Sequence, residues 1–131
     1  MEILDRLKGY SPIILRLAIS IVFFWFGISQ IIDPASFIGY LPSIISTSHY
    51  ATAFIIANGI LEVMLATMLI IGLFTRIVSA ILFLHLLGII ASIGYNDIAV
   101  RDFGLLMAIL AIFLFGDDQW CLANWKKKNI A

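Results

Sequence analysis

The sequence predicts an all-α integral membrane protein, a four-transmembrane-helix antiparallel bundle with both termini cytoplasmic. Three observations carry this. Hydrophobic residues make up 63% of the chain and charged residues 12%, with a mean hydropathy of +1.10, whereas soluble domains are nearer half apolar and a quarter charged. The excess falls in four stretches, each near the roughly 20 helical residues that cross a hydrocarbon core. The charges are also unevenly placed: Arg6, Lys8, Arg16, Arg76, Lys126, Lys127 and Lys128 fall on one side of the topology and only Arg101 on the other. Positive charge marks the cytoplasmic face, so both ends are placed inside, as an even number of spans requires. One domain fills the 131 residues.

Residues 1–11 carry Ile3, Leu4, Leu7 and Tyr10 at helical spacing, with Glu2, Asp5, Arg6 and Lys8 between them. That pattern suits a short helix lying in the membrane interface; a charged leader without fixed structure fits it equally. The first span is read over residues 12–32. Its apolar run is too long for a cleavable signal, and Asp33-Pro34 stands where a cleavage site would need small residues. The loop 33–50 has no Lys or Arg, two prolines (Pro34, Pro42) and an apolar middle that includes Phe37, Tyr40, Leu41 and Ile45. Such a loop solvates poorly, so it is expected to fold back over the bundle mouth as an interfacial turn or short helix. It would act there as a lid or simply rest on the membrane.

The second span is read over residues 51–73 and the third over 77–94. The connection between them is tight enough to make an antiparallel hairpin. Gly94-Tyr95-Asn96-Asp97 is a turn cluster that leads into a fourth span over 99–115. Gly116-Asp117-Asp118 ends that span, and residues 116–131 form a cytoplasmic tail. Trp120 and Trp125 beside three lysines read as an interface anchor. Cys121 is the only cysteine, which excludes an intrachain disulfide and a Cys-x-x-Cys relay.

Each predicted helix carries its polar and small residues on one stripe. These are Arg16, Ser20, Gly27 and Gln30 in the first; Asn58, Glu62 and Ala66, with Gly59 beside them, in the second; and His85, Gly88 and Ser92, extended by Asn96, in the third. In the fourth, Arg101 and Asp102 sit at the outer end, with Gly104, Ala108 and Ala111 along one side. Small residues let backbones approach and polar ones find partners across the interface, so a polar bundle interior is expected. Glu62 stands at mid-span, where a carboxylate is costly and usually meets a partner or a wet cavity. His85 reaches a similar depth on the neighbouring helix, within reach of a direct or water-mediated hydrogen bond. Glu62 and His85 are thus the candidate catalytic residues, and Arg16, Gln30, Asn58, Arg101 and Asp102 the candidate binding residues.

Each has a plainer reading. Arg16 would also serve by snorkelling to lipid phosphates, His85 by holding two helices together, and Arg101 with Asp102 as an interfacial and capping pair. No haem or metal site is evident. His49 lies in the loop and His85 at mid-depth, and one His with one Glu is too few ligands for a metal. No phosphate-cradling glycine loop, Ser/His/Asp constellation or nucleic-acid surface is present.

Leu15-Arg16-Leu17, Phe26-Gly27-Ile28-Ser29-Gln30 with Asp33-Pro34, Gly59-Ile60-Leu61-Glu62, Gly72-Leu73-Phe74-Thr75-Arg76 and Arg101-Asp102 together resemble the DoxX-like family of small four-helix bacterial and archaeal membrane proteins. One departure is Gln30, which stands where that pattern leads one to expect a basic residue. Relatives are named as subunits of sulfur- and quinone-linked oxidoreductases, including the small membrane subunit of a thiosulfate:quinone oxidoreductase. The resemblance implies Arg16, Glu62, Arg101 and Asp102 as site residues, a quinone as the bound molecule, and a plasma-membrane location.

Three functions then compete. The first is a membrane subunit that binds quinone, or passes reducing equivalents and protons, with a partner oxidoreductase subunit. In it Glu62 exchanges a proton, His85 polarises or relays, and Phe23-Phe24-Trp25-Phe26 offers rings for stacking. The second is a non-catalytic membrane anchor or assembly partner that docks through the Trp/Lys tail and the apolar loop. The third is a small-molecule or proton pathway, for which four helices would need to form a homo-oligomer.

Overall fold

The computed structural model describes residues 1–130, and these contain helices and no strand. Four helices are long and apolar enough to cross a membrane: α2 (Ser11–Ile32), α4 (Ala51–Ile71), α5 (Thr75–Ile93) and α6 (Asp97–Phe115). At a rise of about 1.5 Å per residue they measure about 28–33 Å, the thickness of the hydrocarbon core. The short helices α1 (Glu2–Lys8), α3 (Ser43–Ser46) and α7 (Leu122–Ile130) flank them, and a 3-10 helix covers Pro34–Tyr40.

Local chemistry sets the ends. Pro12 sits in the first turn of α2, where no backbone donor is needed, and Asp33-Pro34 closes that helix. The second span stops at Ile71, two residues short of the sequence reading, because Gly72 turns left-handed at φ +75°. Its N–H bonds to Leu69 O at 3.2 Å and that of Leu73 to Met68 O at 2.9 Å, the paired bonds of a Schellman cap. At the fourth span the Asn96 side chain accepts from Ala99 N–H at 2.9 Å, so α6 begins at Asp97 rather than residue 99.

Helix α2 lies closest to α4, and α5 closest to α6. Gly27 and Gly59 make the first contact possible: a Cβ on either would stand 2.7 Å from the other's carbonyl oxygen. The pairing is antiparallel. Arg16 reaches Leu69 and Ile70, Gly27 meets Gly59, and Gln30 meets Asn58 and Glu62. The α4–α5 turn is as tight as expected, yet the seam between those two helices is sparse, since α5 turns its closest face to α6. This leaves room beside Glu62.

The apolar core fills the half of the bundle near the two chain ends, the tail end. Ile19 and Phe23 of α2, Leu65 and Leu69 of α4, Leu82 of α5 and Ile109 of α6 anchor it, all buried. The small-residue stripe of α6 faces elsewhere than expected. Gly104 and Ala111 of α6 are exposed, because Asp102, Leu106, Ile109 and Ile112 take the inward face of that helix. On α5, Gly88 and Ser92 lie beyond the core face Val78, Ser79, Leu82 and Leu86; they are exposed, yet they border the room beside Glu62 as His85 does. The segment after α6 also does more than trail away: Gly116, Asp118 and Cys121 are buried, so the chain folds back beneath the bundle before α7 begins.

Candidate functional site

The helical stripes of α2, α4 and α5 converge at mid-depth on Glu62, which is 2% exposed. Its Oε2 accepts from Gln30 Nε2 at 2.9 Å. Its Oε1 lies 3.1 Å from the donating Asn58 Nδ2 and 2.9 Å from His85 Nε2. Asn58 Nδ2 also donates to Gln30 Oε1 at 2.8 Å, so the two amides brace one another as well as the carboxylate. A buried polar group is costly unless partnered, and here three helices supply the partners. His85 meets Glu62 directly, with its imidazole 15% exposed.

These four residues form the floor of a cavity of about 450 Å³, within the range of roughly 300–1,000 Å³ typical of small-molecule sites. Its walls are mostly apolar. Phe23 and Phe26 line it from α2, and Phe37, Tyr40, Leu41 and Ile45 from the loop. The 3-10 helix packs on α2, α4 and α5, so the loop does fold back over the bundle. Phe26 and Phe37 meet edge to face at 6.5 Å, and Phe37 lies 6.0 Å from Tyr40. Of the aromatic run, Phe23 and Phe26 face the cavity, while Phe24 and Trp25 point outward to lipid.

Arg101 and Asp102 line the same cavity at its loop end. Arg101 Nε and Nη2 each lie 3.3 Å from Asp102 Oδ1, with the arginine side chain 62% exposed and the aspartate 11%. The cap of α6 belongs to Asn96. His49 is exposed in the loop against Tyr50.

Arg16 is placed elsewhere, at the tail end. Its Nε donates to Asp118 Oδ2 at 2.6 Å, and its Nη1 donates to the carbonyls of Leu69 and Ile70. Those carbonyls are among the last of α4, past the reach of its i→i+4 ladder, and that of Leu69 also accepts from the capping Gly72 N–H. Trp120 N–H adds a bond to Asp118 Oδ1 at 2.9 Å. Beside this lock Cys121 Sγ lies 3.4 Å from Thr75 Oγ1. Burial pushes the Cys121 thiol up, against the opposing pull of the Thr75 hydrogen bond and the Arg16 charge. The sequence places Asp118 at a helix end and Cys121 in the tail, and their burial against Arg16 and Thr75 was not expected from it. The available signal was a buried arginine in need of an acid, with Asp117-Asp118 on the same side of the topology.

Among the described residues no three His, Cys, Asp or Glu side chains stand together as a metal cluster would. No curated protein and no solved structure matches the chain. Residues 11–94, which hold α2 to α5 and with them Gln30, Asn58, Glu62 and His85, match the DoxX family, whereas Arg101 and Asp102 follow the matched stretch. With well over half of its length so matched, the chain belongs to the DoxX family.

Proposed function

We propose that this protein is the membrane subunit of a quinone- or sulfur-linked oxidoreductase system, set in the plasma membrane with its tail end cytoplasmic. One observation supports the reading above the rest: a braced carboxylate–imidazole pair, Glu62 with His85, at the floor of an apolar, aromatic-walled cavity. A quinone head group needs such walls for its ring and a hydrogen-bonding group for its oxygens. The basic residues gathered at the tail end favour the orientation.

The chemistry assigned to the chain is proton handling. Oxidation of a quinol releases two electrons and two protons, and the electrons pass to or from a partner subunit or a sulfur substrate. His85 commits Nε2 to Glu62, which leaves Nδ1 as the ring atom to meet a head-group oxygen. In the tautomer protonated on Nε2, a proton taken at Nδ1 is matched by transfer of the Nε2 proton to Glu62. The imidazole stays neutral after the exchange and the carboxylate holds one of the two protons; the other leaves with the electrons to the partner subunit or sulfur substrate. Gln30 and Asn58 hold Glu62 in line for that step, while Phe23, Phe26 and Phe37 exclude water.

A through-membrane pathway is less well supported, because the core anchored by Leu65, Leu69, Leu82 and Ile109 fills the bundle below Glu62. Native mass spectrometry of gently extracted protein tests the proposal. Wild type should carry a quinone and Glu62→Gln should lose it while still folded. Wild type that neither retains nor binds quinone, together with unchanged respiration in Glu62→Gln cells, would overturn it.

A further inference from the structure

We infer that the cavity takes its ligand sideways from the bilayer, through a window between α4 and α5 at Gly88, and that the ligand is an amphiphile whose apolar tail stays in that window. The inference rests on the reading of the cavity as a quinone site and adds the route and the tail. Four observations lead to it.

The 3-10 helix packs on α2, α4 and α5 and roofs the loop end of the cavity, leaving the polar Arg101 and the half-exposed Tyr40 at its rim. The tail end is closed by the apolar core. The α4–α5 seam is sparse, and residues that line the cavity there are also open to the outside: Phe54 is 47% exposed, Leu84 67%, and Gly88 is exposed. At about 1.5 Å per residue, Gly88 lies about 20 Å along α5 from Thr75, which keeps the window within the hydrocarbon.

The fourth observation is Gly88 itself. A glycine inside a helix is less favourable than alanine, so a contact or a space that needs the missing side chain is a reason for one. At Gly27 and Gly59 the reason is helix contact. At Gly88 nothing stands within 4 Å of where a Cβ would be, so no neighbour requires the glycine. What the missing side chain provides is free space at the edge of the cavity, one helical turn from His85. A head group seated at His85 would send its tail out over that gap. Gly104 of α6 has equally open surroundings and takes no part in lining the cavity, which makes it a matched control.

The test compares wild type, Gly88→Phe, Gly88→Ala and Gly104→Phe in nanodiscs, each titrated with a long-tailed isoprenoid quinone and a tail-less benzoquinone. Phenylalanine is a better helix former than glycine, and thermal unfolding confirms that each variant is folded. Gly88→Phe should weaken the tailed quinone about tenfold or more, the scale on which overpacking penalises an occupied space. Gly88→Ala and Gly104→Phe should bind it as wild type does, and the tail-less quinone should bind all four alike. Unchanged binding of the tailed quinone by Gly88→Phe would overturn the window, as would equal loss of both quinones. Wild type that binds neither quinone would refute the site itself rather than its entrance.

Discussion

Removing Asp118 should unfasten the tail end of the bundle while leaving the Glu62 cavity chemically intact. Asp118 and Arg16 are each 3% exposed at the side chain, and their closest approach is 2.6 Å. In Asp118→Ala the guanidinium keeps only the carbonyls of Leu69 and Ile70, so a full charge stays buried without a counter-ion. Breaking such a pair from one side costs about 3–5 kcal/mol, whereas replacing both partners by apolar groups of similar size is often neutral or better. For a chain of this length 1 kcal/mol corresponds to a few degrees, so Tm should fall on the order of 10–20 °C. The double variant Arg16→Met with Asp118→Leu should recover most of the loss. Thermal unfolding in one detergent, followed by intrinsic tryptophan fluorescence, reads all three. A Tm for Asp118→Ala within about 2 °C of wild type, well below the shift expected of a broken buried pair, would refute the lock. So would a double variant as unstable as Arg16→Met alone.

Other outcomes follow from single contacts. Gly27→Ala places a Cβ 2.7 Å from Gly59 O and 2.8 Å from Val63 Cγ2, so α2 and α4 must part, and unfolding should show a loss of about 1–3 kcal/mol. Gln30→Leu removes a donor from Glu62 and an acceptor from Asn58; leaving these unmet should cost about 1–3 kcal/mol and weaken quinone binding in the same titration. Cys121 is buried with its thiol pushed up, so maleimide labelling at neutral pH should be slow in wild type and fast in Asp118→Ala. The raised thiol also sets a sign for stability. The folded state keeps a proton that the unfolded chain gives up, so this contribution is whole below the ordinary thiol range and is lost as pH rises through and above it. Cys121→Ser should flatten that alkaline fall, measured as Tm against pH.

Helical period and depth made much of the bundle legible. Arg16, Ser20, Gly27 and Gln30 recur at intervals that map onto one face, and all four are buried. Counting residues from the span ends put Glu62 and His85 at one level, and they bond there. The inward face of α6 was not legible in this way. Gly104, Ala108 and Ala111 repeat at the same period as Asp102, Leu106, Ile109 and Ile112, and a small residue on a membrane helix fits against a neighbour or against lipid. The Arg16–Asp118 pair was hidden for another reason: its partners stand 102 residues apart, and no local pattern carries such a contact. Burial of Arg16 implied an acid without saying which one.

The arrangement also explains what an amide at position 30 does. Arg16 is spent at the far end on Asp118 and on two carbonyls, so it brings no positive charge to the cavity. Arg101 faces Asp102 at the loop end. Gln30 gives Glu62 a hydrogen bond without a compensating charge, and Asn58 does the same. Of the groups bonded to the carboxylate, His85 alone can change its charge. A lysine at position 30 would place a permanent cation where Gln30 Nε2 now stands and hold Glu62 as half of an ion pair. The glutamine instead braces the carboxylate in position, and on the proposed function this leaves proton exchange with the imidazole as the charge movement open to it. Such a movement is what the proposed quinone ring, uncharged and held away from water, would need to take up or release its protons.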